Sequence, residues 1–140
     1  MNRLVSVAAL GIPGGMRSFV VPATLSLRGI AFGGPVKYIL AGAAAGELVA
    51  DQHPGMASRL APRGLSFRLV GGALAGNALA GPRGAVATGA VAGASAWATH
   101  WLRAALAQRL GADRPAAFAE DVVAIGLAAL LSRPHRAPRA

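Results

Sequence analysis

The sequence predicts an all-α, polytopic membrane helix bundle, and three observations indicate this fold class. The mean hydropathy is positive, at +0.50. Charged residues form 14% of the chain, whereas a typical soluble domain contains about 25%. The apolar residues are mainly Ala, Gly, Leu and Val, and aromatic residues amount to 5%. Small residues let helices approach closely in lipid, so we expect helices packed against one another within a bilayer.

The first apolar stretch runs from Leu4 to Leu27. At about 1.5 Å per residue it covers about 36 Å, which exceeds the hydrocarbon thickness of about 30 Å. Pro13 and Pro22 predict kinks in this helix. We interpret Met1 to Leu10 as its beginning and not as a cleaved signal peptide, because no small-x-small cleavage site follows.

Two more stretches follow along the chain. Val36 to Ala50 predicts a second helix, which is short for a full span, and residues 51–68 predict a polar loop. From Leu65 to Leu106 the chain is almost continuously small and apolar, with one interruption at residues 81–84. Both a hairpin of two helices and one long broken helix fit this pattern. Proline between two glycines, followed by arginine, favours the hairpin, with helices at about Ser66–Ala80 and Ala85–Leu106.

A last helix is predicted from Pro115 to Ser132, with proline at its first position. We therefore expect four to five Gly/Ala-rich transmembrane or re-entrant segments in one domain, residues 1–132. Residues 133–140 form a basic tail that we expect to be disordered. With four or five segments, the basic residues divide almost evenly between the two sides, so the positive-inside rule leaves the orientation open.

Glycines spaced four apart recur in three predicted segments. Residues at this spacing share a helix face, so each pair makes a groove for a neighbouring backbone. A Gly/Ala-rich chain also produces such spacing by chance. We predict tight helix packing at these positions, either within one chain or in a homo-oligomer. The pairs are Gly42 with Gly46, Gly72 with Gly76, and Gly89 with Gly93.

Arg17 lies near the middle of the first apolar stretch. A charge at the bilayer centre costs about 2.5–3.5 kcal/mol, whereas a central leucine returns only about 0.5 kcal/mol. We therefore expect Arg17 to point inward, toward an acid or a backbone carbonyl. The alternative is that Gly14 and Gly15 end a short surface segment, which would place Arg17 at the membrane interface.

Glu47 and Asp51 lie four apart at the end of the second helix. They share a helix face and repel each other mildly, so a cation nearby, Arg17 or Arg59, would stabilise them. The alternative is that both are solvated at the helix end.

Glu120 and Asp121 lie within the first turns of the last helix, where the positive helix N-terminus would stabilise them. Arg68, which opens the third segment, is a further candidate partner for this acidic pair. Each half of the chain thus has an arginine before an acidic pair. Small transporters are often built from such repeats, although the internal similarity here is too faint to indicate a duplication.

Several functions are excluded by what the sequence lacks. It has no cysteine, no Walker-type phosphate loop and no carboxylate cluster at metal spacing, so we predict no enzyme, cofactor or metal site. The net charge is +9, but no aromatic platform for bases accompanies the cations, which argues against nucleic acid. The cations lie between apolar stretches, as expected for loops that face anionic lipid headgroups. We interpret His100, between Trp97 and Trp101, as part of an interfacial aromatic anchor.

Four motifs occur in order over nearly the whole chain. They are Gly15-Met16-Arg17-Ser18 with Pro22-Ala23, Gly46-Glu47-Leu48-Val49-Ala50-Asp51 followed by Ser58-Arg59, Pro62 and Gly64-Leu65, Arg68 with Gly71-Gly72-Ala73-Leu74-Ala75-Gly76, and Ala119-Glu120-Asp121 with Ala124-Ile125-Gly126. Together they resemble the bacterial membrane proteins grouped as domain of unknown function 4126, although His53-Pro54 replaces the usual Leu-Pro. The resemblance implies a multi-helix membrane fold, no known activity, and membership of Arg17, Glu47, Asp51, Arg68, Glu120 and Asp121 in the family pattern.

The sequence thus predicts a multi-pass inner-membrane protein that acts as a small transporter or channel-like subunit with buried Arg/acid pairs. The alternative is a non-transporting membrane scaffold that oligomerises through its glycine faces.

Overall fold

The computed structural model describes residues 2–50 and 61–132, so Asp51, His53 and the predicted tail lie outside it. The described residues form helices and no strand, which confirms the all-α prediction. No helix in these two ranges is both long and apolar enough to cross a bilayer. The helices are α1 (Arg3–Ala9), α2 (Gly11–Met16), α3 (Val20–Leu27), α4 (Val36–Ala50), α5 (Pro62–Leu110) and α6 (Asp113–Leu131).

The first apolar stretch is three short helices, and the prediction of a single kinked helix is wrong. Pro13 has no N–H to donate to Ala9, where α1 ends. Arg17 has an extended backbone (φ −142°, ψ 122°) and ends α2. Pro22 lies in the first turn of α3, where backbone N–H groups have no helical acceptor, so it begins a new helix instead of kinking the old one.

The directions of α1, α2 and α6 follow from their contacts with α5. Thr88 Oγ1 donates to Val7 O (3.1 Å) and Ser95 Oγ donates to Ile12 O (2.7 Å), so α1 and α2 run parallel to the later part of α5. Helix α6 runs the other way, because only two residues separate it from α5 and Arg103 of α5 lies 3.9 Å from Glu120 of α6.

Helix α3 follows the direction of α6. Arg17 contacts Asp121. Eleven residues further along each of these two segments, Arg28 donates to Ser132 O (3.4 Å). The chain therefore reverses between α2 and α3. We call α1–α3 the N-terminal hairpin and residues 17–19 its tip.

Helix α5 is itself a hairpin, as predicted. Helical geometry is lost at Ala80 and at Gly81, which has φ +62° and ψ −157°, so residues 62–79 and 82–110 form two arms. A Cβ on Gly72 would lie 2.9 Å from Ala92 Cβ, and one on Gly76 would meet the Gly84 carbonyl, so the arms are antiparallel and in backbone contact. The first arm begins at Pro62, inside the segment predicted as a loop.

The remaining predicted bounds are close to those observed. Helix α4 has its predicted limits, and α6 begins at Asp113, two residues before the predicted start. Helix α4 packs mainly on α3 and buries only Ala44.

The interior combines small residues with a few larger apolar side chains, and many other large apolar side chains lie outside. Five alanines of α5 and α6 are 0% exposed, Leu10, Val21 and Leu25 are buried beside them, and the largest fully buried side chain is that of Arg17. In contrast, Trp97 is 61% exposed, Phe118 65% and Tyr38 69%. A fully buried arginine and several large exposed aromatic side chains are both unusual in a water-soluble domain.

Candidate functional site

The tip of the N-terminal hairpin holds a buried ion pair. Arg17 is 0% exposed, and its Nη2 donates to Asp121 Oδ1 near the middle of α6. Arg17 Nη1 also donates to Met16 O (3.0 Å), at the end of α2. A cation is favourable here because the carbonyls at a helix C-terminus carry partial negative charge. The guanidinium thus joins α6 to the end of α2.

Glu47 of α4 binds the backbone at the same tip. Its Oε1 accepts from Ser18 N (2.8 Å) and its Oε2 accepts from Phe19 N (3.1 Å). These two N–H groups precede α3 and have no helical acceptor. The carboxylate therefore caps α3, and its negative charge is favourable at the positive end of that helix.

The first arm of α5 closes another side of the tip. The rings of Phe67 and Phe19 lie 6.1 Å apart, and a Cβ on Gly71 would meet the Ser18 carbonyl. Glycine at this position allows the two backbones to touch. Helices α4, α5 and α6 thus all contact the reversal between α2 and α3, and each uses a different kind of group.

A second ionic cluster joins α5 to α6. Arg103 Nε donates to Asp113 Oδ1 (2.8 Å), its Nη2 donates to Asp113 Oδ2, and its Nη1 lies 3.9 Å from Glu120 Oε2. The Glu120 side chain is 9% exposed and that of Asp113 is 61% exposed. Glu120 and Asp121 are neighbours in sequence, but they contact arginines on different elements.

The structure changes part of the predicted pairing of charges. Arg17 contacts Asp121, which the sequence did not suggest as its partner, and its pairing with Asp51 stays a prediction because Asp51 lies outside the described residues. We expected Glu47 to need a cation, but it accepts two backbone N–H bonds. The local sequence pattern could not reveal these contacts, because Arg17 and Asp121 are 104 positions apart in sequence.

Two further candidate residues are less well defined. Arg68 is 5% exposed on the first arm of α5, and its Nη1 donates to Gly64 O (3.1 Å). Its pairing with Glu120 or Asp121 stays a prediction. Asp51 lies outside the described residues.

The glycine pairs differ in what they contact. Gly72, Gly76, Gly89 and Gly93 lie between the two arms of α5, and a Cβ on Gly93 would lie 2.9 Å from Leu69 Cδ2. Sequence reasoning missed Gly11 and Gly15, whose absent Cβ atoms let α2 touch the backbone of the second arm. Their spacing of four was the signal that could have found them.

Gly42 and Gly46 of α4 have nothing within 4 Å of an added Cβ. Among the described residues this pair packs against no other element, unlike the pairs on α5.

The chemistry available at the tip is ionic. Two carboxylates, from Glu47 and Asp121, are groups that bind cations or protons. The Arg17 guanidinium and the N–H groups of Ser18 and Phe19 are groups that bind anions. Within residues 2–50 and 61–132, no three His, Asp or Glu side chains are grouped so that they could hold a metal ion.

Comparisons with protein-family models, with curated proteins and with solved structures found no match to this chain. The resemblance to the family of domain of unknown function 4126 therefore stays a prediction.

Proposed function

We propose that the chain is a multi-pass protein of the bacterial inner membrane, and that it acts as a small transporter or channel-like subunit whose ionic site is the tip of the N-terminal hairpin. The bilayer is its solvent, and anionic headgroups surround its ends. The N-terminal hairpin enters the membrane from one side and returns to it.

The observations that carry this proposal are the exposure of large aromatic side chains and the full burial of one arginine. Water favours burial of large apolar groups, and soluble monomers rarely expose large continuous apolar patches. Here Trp97, Trp101 and Phe118 are more than half exposed, whereas Arg17 is fully buried. Lipid removes the cost of exposed apolar groups and raises the cost of exposed charge, so the same distribution is favourable in a bilayer.

The polar groups of the second arm of α5 are compatible with lipid around it. Thr88 and Thr99 are buried, and Ser95 Oγ donates to Ile12 O. These hydroxyls reduce the average hydropathy of the arm, but they bond to backbone carbonyls instead of facing outward. Satisfying polar groups internally is what a hydrocarbon environment requires.

The transport proposal rests on the discontinuous helix. In transporters, ions and solutes bind where a helix breaks in the bundle interior, because the freed helix ends supply partial charges. The tip provides such a break, with the end of α2 beside Arg17 and the start of α3 beside Glu47.

Reconstitution in phospholipid vesicles tests this function. Flux of protons, Na⁺, K⁺ and Cl⁻ is measured across the vesicle membrane for the native protein and for Glu47→Gln, Glu120→Gln and Asp121→Asn. We expect Glu47→Gln and Asp121→Asn to abolish flux while the protein still inserts, since both remove charge at the tip. The Glu120 carboxylate lies near Arg103, so Glu120→Gln tests whether the second cluster belongs to the same path.

Arg83→Gln is the control, because Arg83 is exposed on the second arm of α5 and belongs to neither ionic cluster. It should leave flux unchanged. A native protein that carries none of these ions, or a folded Glu47→Gln variant with full flux, would contradict the ion-transport proposal.

A scaffold function is the second candidate, and the α4 face supports it. Gly42 and Gly46 have nothing packed against them, and Ile39 and Val49 on the same face are 68% and 65% exposed. Small residues flanked by β-branched ones suit helix association in lipid. Under this proposal, α4 of one copy would pack on α4 of another.

Gly42→Leu should then reduce cross-linking between copies in vesicles, while Gly126→Leu, on α6 and also without neighbours within 4 Å, should not. Gly72→Leu and Gly89→Leu are unsuitable for this test, because both glycines lie between the arms of α5 and substitution would disturb the fold. Equal cross-linking of Gly42→Leu and native protein would exclude the α4 interface.

A further inference from the structure

Near the end of the molecule where α5 meets α6, two exposed tryptophans are followed along the sequence by two exposed arginines. Trp97 and Trp101 lie four residues apart on the second arm and are 61% and 58% exposed. The exposed Arg109 and Arg114 follow, on either side of the two-residue connection. We call these four residues the corner surface.

The cations of the corner surface are available to an external anion. Asp113 is the nearest acid in sequence, and both of its oxygens accept from Arg103. Glu120 also lies beside Arg103. Within the described ranges, Arg109 and Arg114 form no ion pair. The corner surface is therefore positive at its outer edge.

The spacing along the second arm agrees with the layers of a bilayer. Arg83 is exposed just after the turn at Gly81. At about 1.5 Å per residue, Trp101 lies about 27 Å from Arg83 along the axis, and Arg109 about 39 Å. The hydrocarbon layer is about 30 Å thick and the bilayer with its headgroups is about 40–45 Å thick. With Arg83 and Arg109 in opposite headgroup layers, Trp101 lies on the Arg109 side of the hydrocarbon layer, and Trp97, about 21 Å from Arg83, lies one helical turn deeper.

We propose that the corner surface binds the headgroups of anionic phospholipids, with Trp101 toward the hydrocarbon boundary, Trp97 one turn deeper, and Arg109 and Arg114 on the phosphates. The inference rests on the membrane location proposed above, and it adds the part of the fold that meets the anionic headgroups. Tryptophan side chains favour the headgroup boundary because their rings are amphipathic, and arginines near an anionic surface are attracted to it.

Energy transfer from tryptophan to dansyl-labelled lipid tests the proposal on the full chain in vesicles. The chain has two tryptophans, both on the corner surface, so the donor signal comes from this surface alone. Transfer is measured to dansyl-phosphatidylglycerol and to dansyl-phosphatidylcholine. We expect stronger transfer to the anionic lipid, and Arg109→Gln and Arg114→Gln should each lower the preference about fivefold. Arg83→Gln, at the other end of the arm, is the control and should leave it unchanged.

The possible failures are distinguishable. Protein that does not float with the vesicles would overturn the membrane location itself. Protein that floats but transfers equally to both lipids would leave the membrane location intact and overturn headgroup binding by Arg109 and Arg114. Protein that floats but transfers weakly to both would mean that something else, such as a second copy, covers Trp97 and Trp101, which also overturns the proposal. An equal effect of Arg83→Gln would show that the preference is not specific to the corner surface.

Discussion

Arg17 and Asp121 form a buried ion pair between the tip of the N-terminal hairpin and the middle of α6. The two residues are 104 positions apart in sequence, so this contact joins the two ends of the chain. It also places a full positive charge where the chain reverses direction, beside the backbone N–H groups that Glu47 binds. Carboxylates from two different helices thus contact the tip.

Removing one member of the Arg17–Asp121 pair should strongly destabilise the protein. Asp121→Ala leaves the guanidinium buried without this carboxylate, and we expect a loss of about 3–5 kcal/mol in the free energy of unfolding. The combined substitutions Arg17→Met and Asp121→Leu replace both charges by apolar groups and should restore part of that loss. Unfolding in a mild detergent measures both effects.

Asp113→Ala is the control for this prediction, because its side chain is 61% exposed. It should cost no more than about 1 kcal/mol. A double variant as unstable as Asp121→Ala alone would show that the unpaired charge is not the cause.

Glu47 should protect the backbone of the tip. Glu47→Ala removes the acceptors of Ser18 N and Phe19 N, and we expect a loss of about 1–3 kcal/mol together with faster amide exchange at those two residues. Glu47→Gln keeps one carbonyl oxygen and should be intermediate. Hydrogen exchange followed by mass spectrometry provides the measurement. Glu120→Gln should leave these amides unchanged, and unaltered exchange in Glu47→Ala would disprove the cap.

Glycines on α5 and α4 should respond oppositely to alanine. An added Cβ on Gly76 would meet the Gly84 carbonyl, so Gly76→Ala should cost about 1–3 kcal/mol. Gly42 has nothing within 4 Å, and alanine there should stabilise the helix by about 0.5–1 kcal/mol. Thermal unfolding of the two variants under the same conditions checks the difference. Equal destabilisation of both would contradict the arrangement of the arms.

The turn of the α5 hairpin should require glycine. Gly81 has φ +62° and ψ −157°, a region that only glycine adopts readily, so Gly81→Ala should cost about 1–3 kcal/mol. Gly111 has φ +67° and ψ 6°, a left-handed conformation that asparagine also tolerates. Gly111→Asn should therefore be nearly neutral in unfolding experiments. A larger loss for Gly111→Asn than for Gly81→Ala would contradict this assignment.

The sequence was informative where structure depends on local signals. Gly81, Pro82 and Arg83 predicted the α5 hairpin, because glycine and proline act on the backbone at their own positions. The bounds of α4 were also predictable, since Pro35 precedes it. In contrast, Pro22 begins a helix after a reversal, and a proline in that role has the same sequence signature as one that kinks a helix.

The partners of charged groups could not be predicted in the same way. Arg17 was expected to be inward-facing, and it is buried, but its carboxylate is supplied from the far end of the chain. Glu47 satisfies backbone donors that exist only because the chain reverses. Both contacts depend on the direction of α3, which no local pattern reveals.

The reversal at the tip also determines how the first fifth of the chain would be distributed across a membrane. Because α3 returns alongside α1 and α2, Asn2 and the residues that follow Arg28 lie toward the same end of the bundle. In a bilayer, the first 28 residues would then contribute no net crossing, although their length alone would suggest one. Reporter groups placed at Asn2 and at Gly33 would consequently face the same aqueous compartment.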